Sequence, residues 1–178
     1  MTELKLQRAD ITCSAADIVI VNLFEGVKVP GGATGALDSM LGQPISKAAQ
    51  AGILTGECFE FKLLHCNTNL STGDPYLTYV MGLGLKDELT PRRLYDLFIQ
   101  ALLAINAIIA WPVKVDTILH GAGIGGMTVL DSVAAIRLAV KSFNDCAATP
   151  NIITSVTVVE FNQAVHDAAA AYLKQLGQ

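Results

Sequence analysis

Four glycines in six residues, Gly121, Gly123, Gly125 and Gly126, follow directly on the apolar run from Val115 to Leu119. Glycine lets a backbone approach a ligand closely and take up the φ > 0 conformations that a tight cradle requires. From Thr128 onward, Val133, Ile136, Val140 and Phe143 recur on one face at helical spacing. Strand, glycine loop and helix N-terminus in that order make an anion site, because unpaired N–H groups and the positive end of the helix dipole both favour a phosphate. The segment Gly121, Ala122, Gly123, Ile124, Gly125 and Gly126 is therefore the candidate phosphate loop. A second glycine-rich stretch runs from Pro30 to Gly35 and brings Gly31, Gly32, Ala33 and Thr34 into consideration. Two such loops on one rim could clamp a diphosphate between them.

The plain alternative for the first loop is a tight turn that packs a helix on a sheet. Gly121-x-Gly123-x-x-Gly126 also satisfies the dinucleotide fingerprint. That motif calls for an acidic residue about 20 positions on, at the end of the next strand. Here the next strand ends at Glu160, and only one further strand remains. A Rossmann dehydrogenase is disfavoured. The histidines, His65, His120 and His166, form no constellation. His120, beside the loop, either reaches a ligand or is a structural histidine. No serine nucleophile motif and no paired-carboxylate signature stands out. Cys13, Cys58, Cys66 and Cys146 are widely spaced with no CxxC pair, so no zinc site or disulfide framework is indicated. The expectation is no catalytic residue, no metal and no cofactor.

The elements that must position these residues follow from pattern. Leu4 to Gln7 alternates as a strand; Ile18 to Leu23 is a continuous apolar run and reads as a central strand. Leu37 to Met40 and Ile45 to Ala51 read as short helices, and Glu57 to His65 and Tyr76 to Met81 as strands joined across Asn67 to Pro75. Thr90-Pro91 starts a helix with a broad apolar face, Thr90 as its N-cap. Ile152 to Val159 is a further strand and Phe161 to Leu176 a closing helix. Strands alternating with helices around a hairpin predict one α/β domain over residues 1–178, a three-layer α/β/α fold with a mixed sheet. At 52% hydrophobic and 16% charged residues, the chain can fill a sizeable core. A net charge of −4 without a basic run disfavours nucleic acid as a partner. No stretch is long and apolar enough to suggest a membrane span, and no signal-peptide pattern opens the chain. A reduced, cytoplasmic protein is expected.

In the N-terminal third, Leu6-Gln7-Arg8-Ala9-Asp10-Ile11-Thr12 precedes Ala16-Asp17-Ile18-Val19-Ile20-Val21-Asn22. This resembles the opening of macro domains, the ADP-ribose-binding modules, with their Gly-Asp-Ile-Thr turn and Asp-Ala-Ile-Val-Asn strand. Pro30 to Leu37 and Gly121 to Gly126 resemble the family's two phosphate loops. Ala16 to Val19, Phe24-Glu25-Gly26, Gly35 to Asp38 and especially Val80 to Lys86 resemble the N-terminal domain of leucine aminopeptidases, itself macro-like. That family's catalytic domain, with its metal site, has no counterpart in this chain, so aminopeptidase activity is not expected.

The resemblance implies a macro domain-like fold and a ligand of ADP-ribose or a related nucleotide. It implies that Asp10 accepts the adenine amino group and that the Ile11 N–H bonds the ring. A carboxylate accepts from an amine and does not mistake it for a carbonyl. Phe161 either packs on the adenine face or fills the core. Asn22 either positions a ribose or caps neighbouring backbone. Hydrolytic macro domains carry a second asparagine where this chain has Glu25, and an aspartate where it has Thr34. Both departures argue against hydrolysis of ADP-ribose linkages, although Glu25 or His120 would be the residues to suspect. The expectation is a binding module without turnover, acting alone, as a homo-oligomer or with a partner protein. The alternative is a structural or assembly domain without a nucleotide, in which Phe24, Met127 or Glu25 would fill the cleft.

Overall fold

A computed structural model of the chain describes residues 1–66, 76–123, 125–146 and 151–177. Its strands are β1 (Glu3–Arg8), β2 (Ile18–Leu23), β3 (Phe61–Cys66), β4 (Tyr76–Gly82), β5 (Val113–Thr117) and β6 (Ile153–Glu160). Its helices are α1 (Gly32–Met40), α2 (Pro44–Gln50), α3 (Pro91–Ile108), α4 (Val129–Asp145) and α5 (Gln163–Gln175). The connection expected at Asn67 to Pro75 lies outside the described residues, as does Ile124.

The side-chain alternation of β2 shows how the layers form. Ile18 and Ile20 point into a core shared with Leu97 and Phe98 of α3 and Ile136 of α4. Val19, Val21 and Leu23 point the other way, onto Leu37 of α1 and Ile45 and Ala49 of α2. A strand covered on both faces has no polar side to present, which is why it reads as an unbroken apolar run. The sheet order is β1-β6-β5-β2-β4-β3. All neighbours are parallel except β3, which runs antiparallel to β4. This is a three-layer α/β/α fold with a mixed sheet, and the hairpin forms one edge of it. The carboxyl ends of the five parallel strands share one rim, where such sheets bind ligands.

Several boundaries differ from the sequence reading: β3 begins at Phe61 rather than Glu57, β5 at Val113 rather than Val115, and two shifts fall at the rim. The last strand before the glycine loop stops at Thr117 rather than Leu119, although Ile118 and Leu119 remain buried. The stretch from Pro30 to Gly35 is a loop only as far as Gly31; the helix starts at Gly32, five residues before Leu37. Glycine's low helix propensity hid that start. Packing overrides it: Thr34 and Leu37 are buried, and a Cβ on Gly35 would lie 2.4 Å from the Pro30 carbonyl oxygen. Only glycine lets the first turn close so tightly on Pro30.

The Gly82-Leu83-Gly84 segment anchors the chain leaving β2. Leu83 N–H donates to the Leu23 carbonyl at 2.9 Å, and Glu25 N–H donates to the Gly84 carbonyl at 3.0 Å. A Cβ on Gly82 would sit 2.1 Å from the Glu57 carbonyl oxygen. This glycine pair therefore serves backbone nesting beneath the cleft wall.

Candidate functional site

A cleft of about 920 Å³ opens along the carboxyl rim of the sheet. Strand order sets its layout. Asp10 and Ile11 follow β1 at one end, with Glu160 and Phe161 beside them at the end of β6. Gly121, Ala122, Gly123 and Gly125 follow β5 in the middle, and Asn22 closes β2 next to them. Phe24, Val27 and Val29 continue from β2 along the remaining wall, leading to Gly31, Gly32, Ala33 and Thr34 at the start of α1. Both glycine-rich segments thus border one cleft. Gly126 does not line it; that residue is exposed, with φ +74°. The expectation that it belongs to the ligand surface is corrected accordingly.

No lysine or arginine borders the cleft among the described residues. An anion there would depend on backbone N–H groups, and the helix termini differ sharply in what they offer. Thr90 caps α3 by accepting from Arg93 N–H, and Asn162 caps α5 by accepting from Ala164 and Val165 N–H. Asp38 does the same for α2 through Ile45 and Ser46 N–H. At α4, Thr128 Oγ1 accepts from Asp131 N–H at 3.1 Å and donates to the Asp131 carboxylate at 2.7 Å. The helix after the Gly121 loop therefore has one N–H taken by its own cap and a negative charge in its first turn, which makes its terminus less favourable to an anion than the glycine pattern alone suggests.

The open terminus is that of α1. Its N-cap is Gly31, with no side-chain cap, and no acidic residue lies in its first turn. The N–H groups of Gly32, Ala33 and Thr34 have no partner among the described residues. The first N–H groups of a helix have no intrahelical partner and need an outside acceptor. Here they stand at the cleft, facing the Gly121 loop.

Within that loop the glycines have separate duties. Met127 N–H donates back to the Gly121 carbonyl at 3.2 Å and closes the turn. A Cβ on Gly121 would meet the Leu89 side chain at 2.5 Å. A Cβ on Gly125 would meet the Gly121 oxygen at 2.6 Å and Phe24 Cζ at 2.9 Å. Gly121 and Gly125 are thus packing requirements. Gly123, exposed at φ +96° with open space where its Cβ would be, is the position that presents bare backbone to the cleft. Phe24 is half-buried and bridges the loop to β2, a role that its sequence neighbours do not reveal.

Asp10 caps the short 3-10 turn that follows it. Its Oδ1 accepts from the Thr12 N–H at 2.9 Å and from the Thr12 hydroxyl at 2.7 Å. Oδ2 and the Ile11 N–H have no partner among the described residues, so one acceptor and one donor lie side by side at the cleft end. Phe161 is 73% exposed on the cleft edge, which settles its two readings against the core.

His120 and Glu25 do not face the cleft. Glu25 is exposed on the outside of the loop after β2. His120 is fully buried against Phe98, with ring centroids 5.7 Å apart. Its Nε2 lies 2.7 Å from Thr117 Oγ1 and its Nδ1 2.9 Å from Asn22 Oδ1. Burial holds its pKa down at about 3, so the ring is neutral at physiological pH. An unfolded chain titrates that histidine near 6.5. Between those values the unfolded state binds the extra proton, so stability present above pH 6.5 is lost as the pH falls, by up to about 1.4 kcal/mol per pH unit. Urea midpoints measured from pH 7 to 5 are expected to fall more steeply for the wild type than for His120→Gln. Parallel slopes would contradict a buried neutral imidazole.

Among the described residues, no group of three His, Cys, Asp or Glu side chains could hold a metal ion, and no helix is long and apolar enough to cross a membrane.

No protein-family model matches the sequence, and no curated protein sequence matches it. Solved structures do match. A variant macrodomain of Oceanobacillus iheyensis with ADP-ribose superposes with a TM-score of 0.72 at 16% identity, covering 97% of this chain and 92% of that one. The O. iheyensis macrodomain with ADP gives 0.75 at 15% identity, covering 97% and 90%. The Trypanosoma brucei macrodomain in complex with ADP gives 0.75 at 12% identity, covering 96% of this chain and 69% of that one. Identity this low carries no residue roles across, but a common path through nearly the whole chain does carry the architecture: the protein has the macrodomain fold.

Proposed function

We propose that this chain is a binding module for ADP-ribose or a related adenine nucleotide, and that it holds the ligand without turning it over. The observation that carries this reading is the uncapped N-terminus of α1, set across one cleft from the Gly121 loop. A diphosphate would accept from the Gly32, Ala33 and Thr34 N–H groups and lie along the bare backbone at Gly123. Adenine would sit at the β1 and β6 end, its amino group on Asp10 Oδ2, its ring nitrogen on the Ile11 N–H and its face against Phe161. Solved structures of the same fold that hold ADP-ribose and ADP support this ligand class. With His120 sealed in the core and Glu25 outside the cleft, neither suspected residue is placed to act on the ligand, which supports binding without catalysis.

The alternative of an assembly domain, akin to the N-terminal domain of leucine aminopeptidases, rests on Val80 to Lys86. The glycines there act in backbone nesting, which suits either reading. The assembly reading expects a cleft filled by Phe24, Met127 or Glu25. Phe24 instead forms a wall, Met127 packs against Gly121 without bordering the cleft, and Glu25 is exposed and does not border it. An open cleft favours the nucleotide.

Titration calorimetry with ADP-ribose, ADP and NAD, followed by product analysis, tests the proposal. One-to-one binding of ADP-ribose and ADP with the nucleotides recovered intact is the expected result. No heat at millimolar nucleotide would overturn it.

A further inference from the structure

The buried His120 does not border the cleft, yet it sits between the core and Asn22, whose side chain lines the middle of the cleft. Three contacts define a chain: Ile20 carbonyl to Thr117 Oγ1, 3.2 Å; Thr117 Oγ1 to His120 Nε2, 2.7 Å; His120 Nδ1 to Asn22 Oδ1, 2.9 Å. Proton counting leaves two arrangements. A neutral imidazole has one N–H, and the threonine hydroxyl has one proton to give. If the N–H is on Nδ1, it donates to Asn22 Oδ1, and the Thr117 proton goes to Nε2. Both short contacts are then satisfied, and the Ile20 carbonyl receives no proton from Thr117. If the N–H is on Nε2, the Thr117 proton must turn to the longer Ile20 contact, and Nδ1 needs a donor. Only a flipped Asn22 amide could supply it. The tautomer of His120 and the orientation of Asn22 are therefore a single choice.

We infer that His120 is a positioning residue: as the Nδ1–H tautomer, it holds Asn22 with Oδ1 inward, so that the Asn22 amide presents its two N–H donors to the cleft. The contact that selects this arrangement is Asn22 Oδ1 at 2.9 Å from Nδ1: an oxygen there needs the Nδ1–H, and the longer Thr117–Ile20 contact then goes without its proton. Asn22 Nδ2 has no partner among the described residues, and Asn22 borders the cleft. Its amide thus joins the α1 N–H groups in a donor-only floor at the centre of the cleft, while the carboxylates Asp10 and Glu160 stand at the β1 and β6 end. The ligand group above Asn22 must be an acceptor oxygen, phosphoryl or ribose. The flipped amide would turn its oxygen toward that same group and repel it. This inference rests on the nucleotide reading for its ligand but not for its tautomer.

The test has one arm for each. Nitrogen-15 NMR of histidine-labelled protein without ligand is expected to show His120, assigned by its loss in His120→Gln, with Nδ1 protonated and Nε2 bare from pH 6 to 8. An Nε2–H tautomer overturns the inference whether or not any nucleotide binds. Calorimetry with ADP is the second arm. His120→Phe keeps a ring in the core but frees the Asn22 amide to rotate, and is expected to weaken ADP about tenfold. His120→Gln keeps a donor for Asn22 Oδ1 and is expected to restore affinity to within about threefold of wild type. Equal affinity in the Phe and Gln variants would refute the positioning role, because a purely structural histidine has no reason to be rescued by an amide. If His120→Phe does not fold, the tautomer and the Gln variant still decide. If wild type binds no ADP, the nucleotide reading falls and the tautomer alone decides this one.

Discussion

Ala33→Asp is expected to lower ADP affinity about 100-fold while leaving the fold intact or slightly more stable. Ala33 is exposed in the first turn of α1, whose N–H groups lack a cap and open on the cleft. A carboxylate there would satisfy those donors itself and favour the helix dipole, a gain of about 0.3–1 kcal/mol in stability. The same carboxylate would confront the diphosphate. Two unit charges about 4 Å apart repel by about 4 kcal/mol at an effective dielectric of 20, and salt reduces this. A residual penalty of about 2.7 kcal/mol corresponds to the 100-fold loss. Calorimetry with ADP paired with a denaturation midpoint reads both effects. Opposite signs are the signature, since a variant that merely damaged the protein would lower both. Unchanged ADP affinity would remove α1 from the site and leave the Gly121 loop to hold the phosphates alone.

Asp10→Asn is the second large expected effect, and it separates the base contact from the local fold. Asp10→Ala would remove both, because Asp10 Oδ1 holds the Thr12 N–H and hydroxyl. Asparagine can keep that cap through its own Oδ1. What it changes is the other atom: a donor replaces Oδ2 and meets the adenine amino group donor to donor. Leaving a polar partner unpaired costs about 1–3 kcal/mol, so ADP should bind about 5- to 150-fold more weakly. Inosine diphosphate, with a carbonyl in place of the amine, should gain on ADP by a comparable factor. A preference between the two bases that does not move would show that Asp10 is only a turn residue.

Much of the architecture was legible along the chain because its causes are local. The two-faced apolar run of β2, the Thr90-Pro91 start of α3 and the helical stripe of α4 each follow from neighbours a few residues apart. The same holds for the glycine loop after β5. Position in the sheet then brought most of the suspected residues to one cleft, since Asp10, Asn22, Gly121 and Phe161 all lie at or just beyond the carboxyl ends of parallel strands.

By itself, then, the sequence determined the α/β/α layering, the strands that end at the rim and the glycines that leave backbone bare there, because periodicity, caps and turn residues act over a few positions. Tertiary structure alone decided the rest. Thr128 and Gly31 both precede helices, but only the folded chain shows that α4 is capped and α1 is not. Gly123 and Gly125 look equivalent on paper; the fold of the loop onto the Gly121 backbone, with Phe24 brought in from beyond β2, separates them. His120, adjacent to the loop in sequence, is turned into the core, where it bonds to Asn22 across 98 positions. These distinctions depend on which distant groups fill a given space, and no local pattern encodes that.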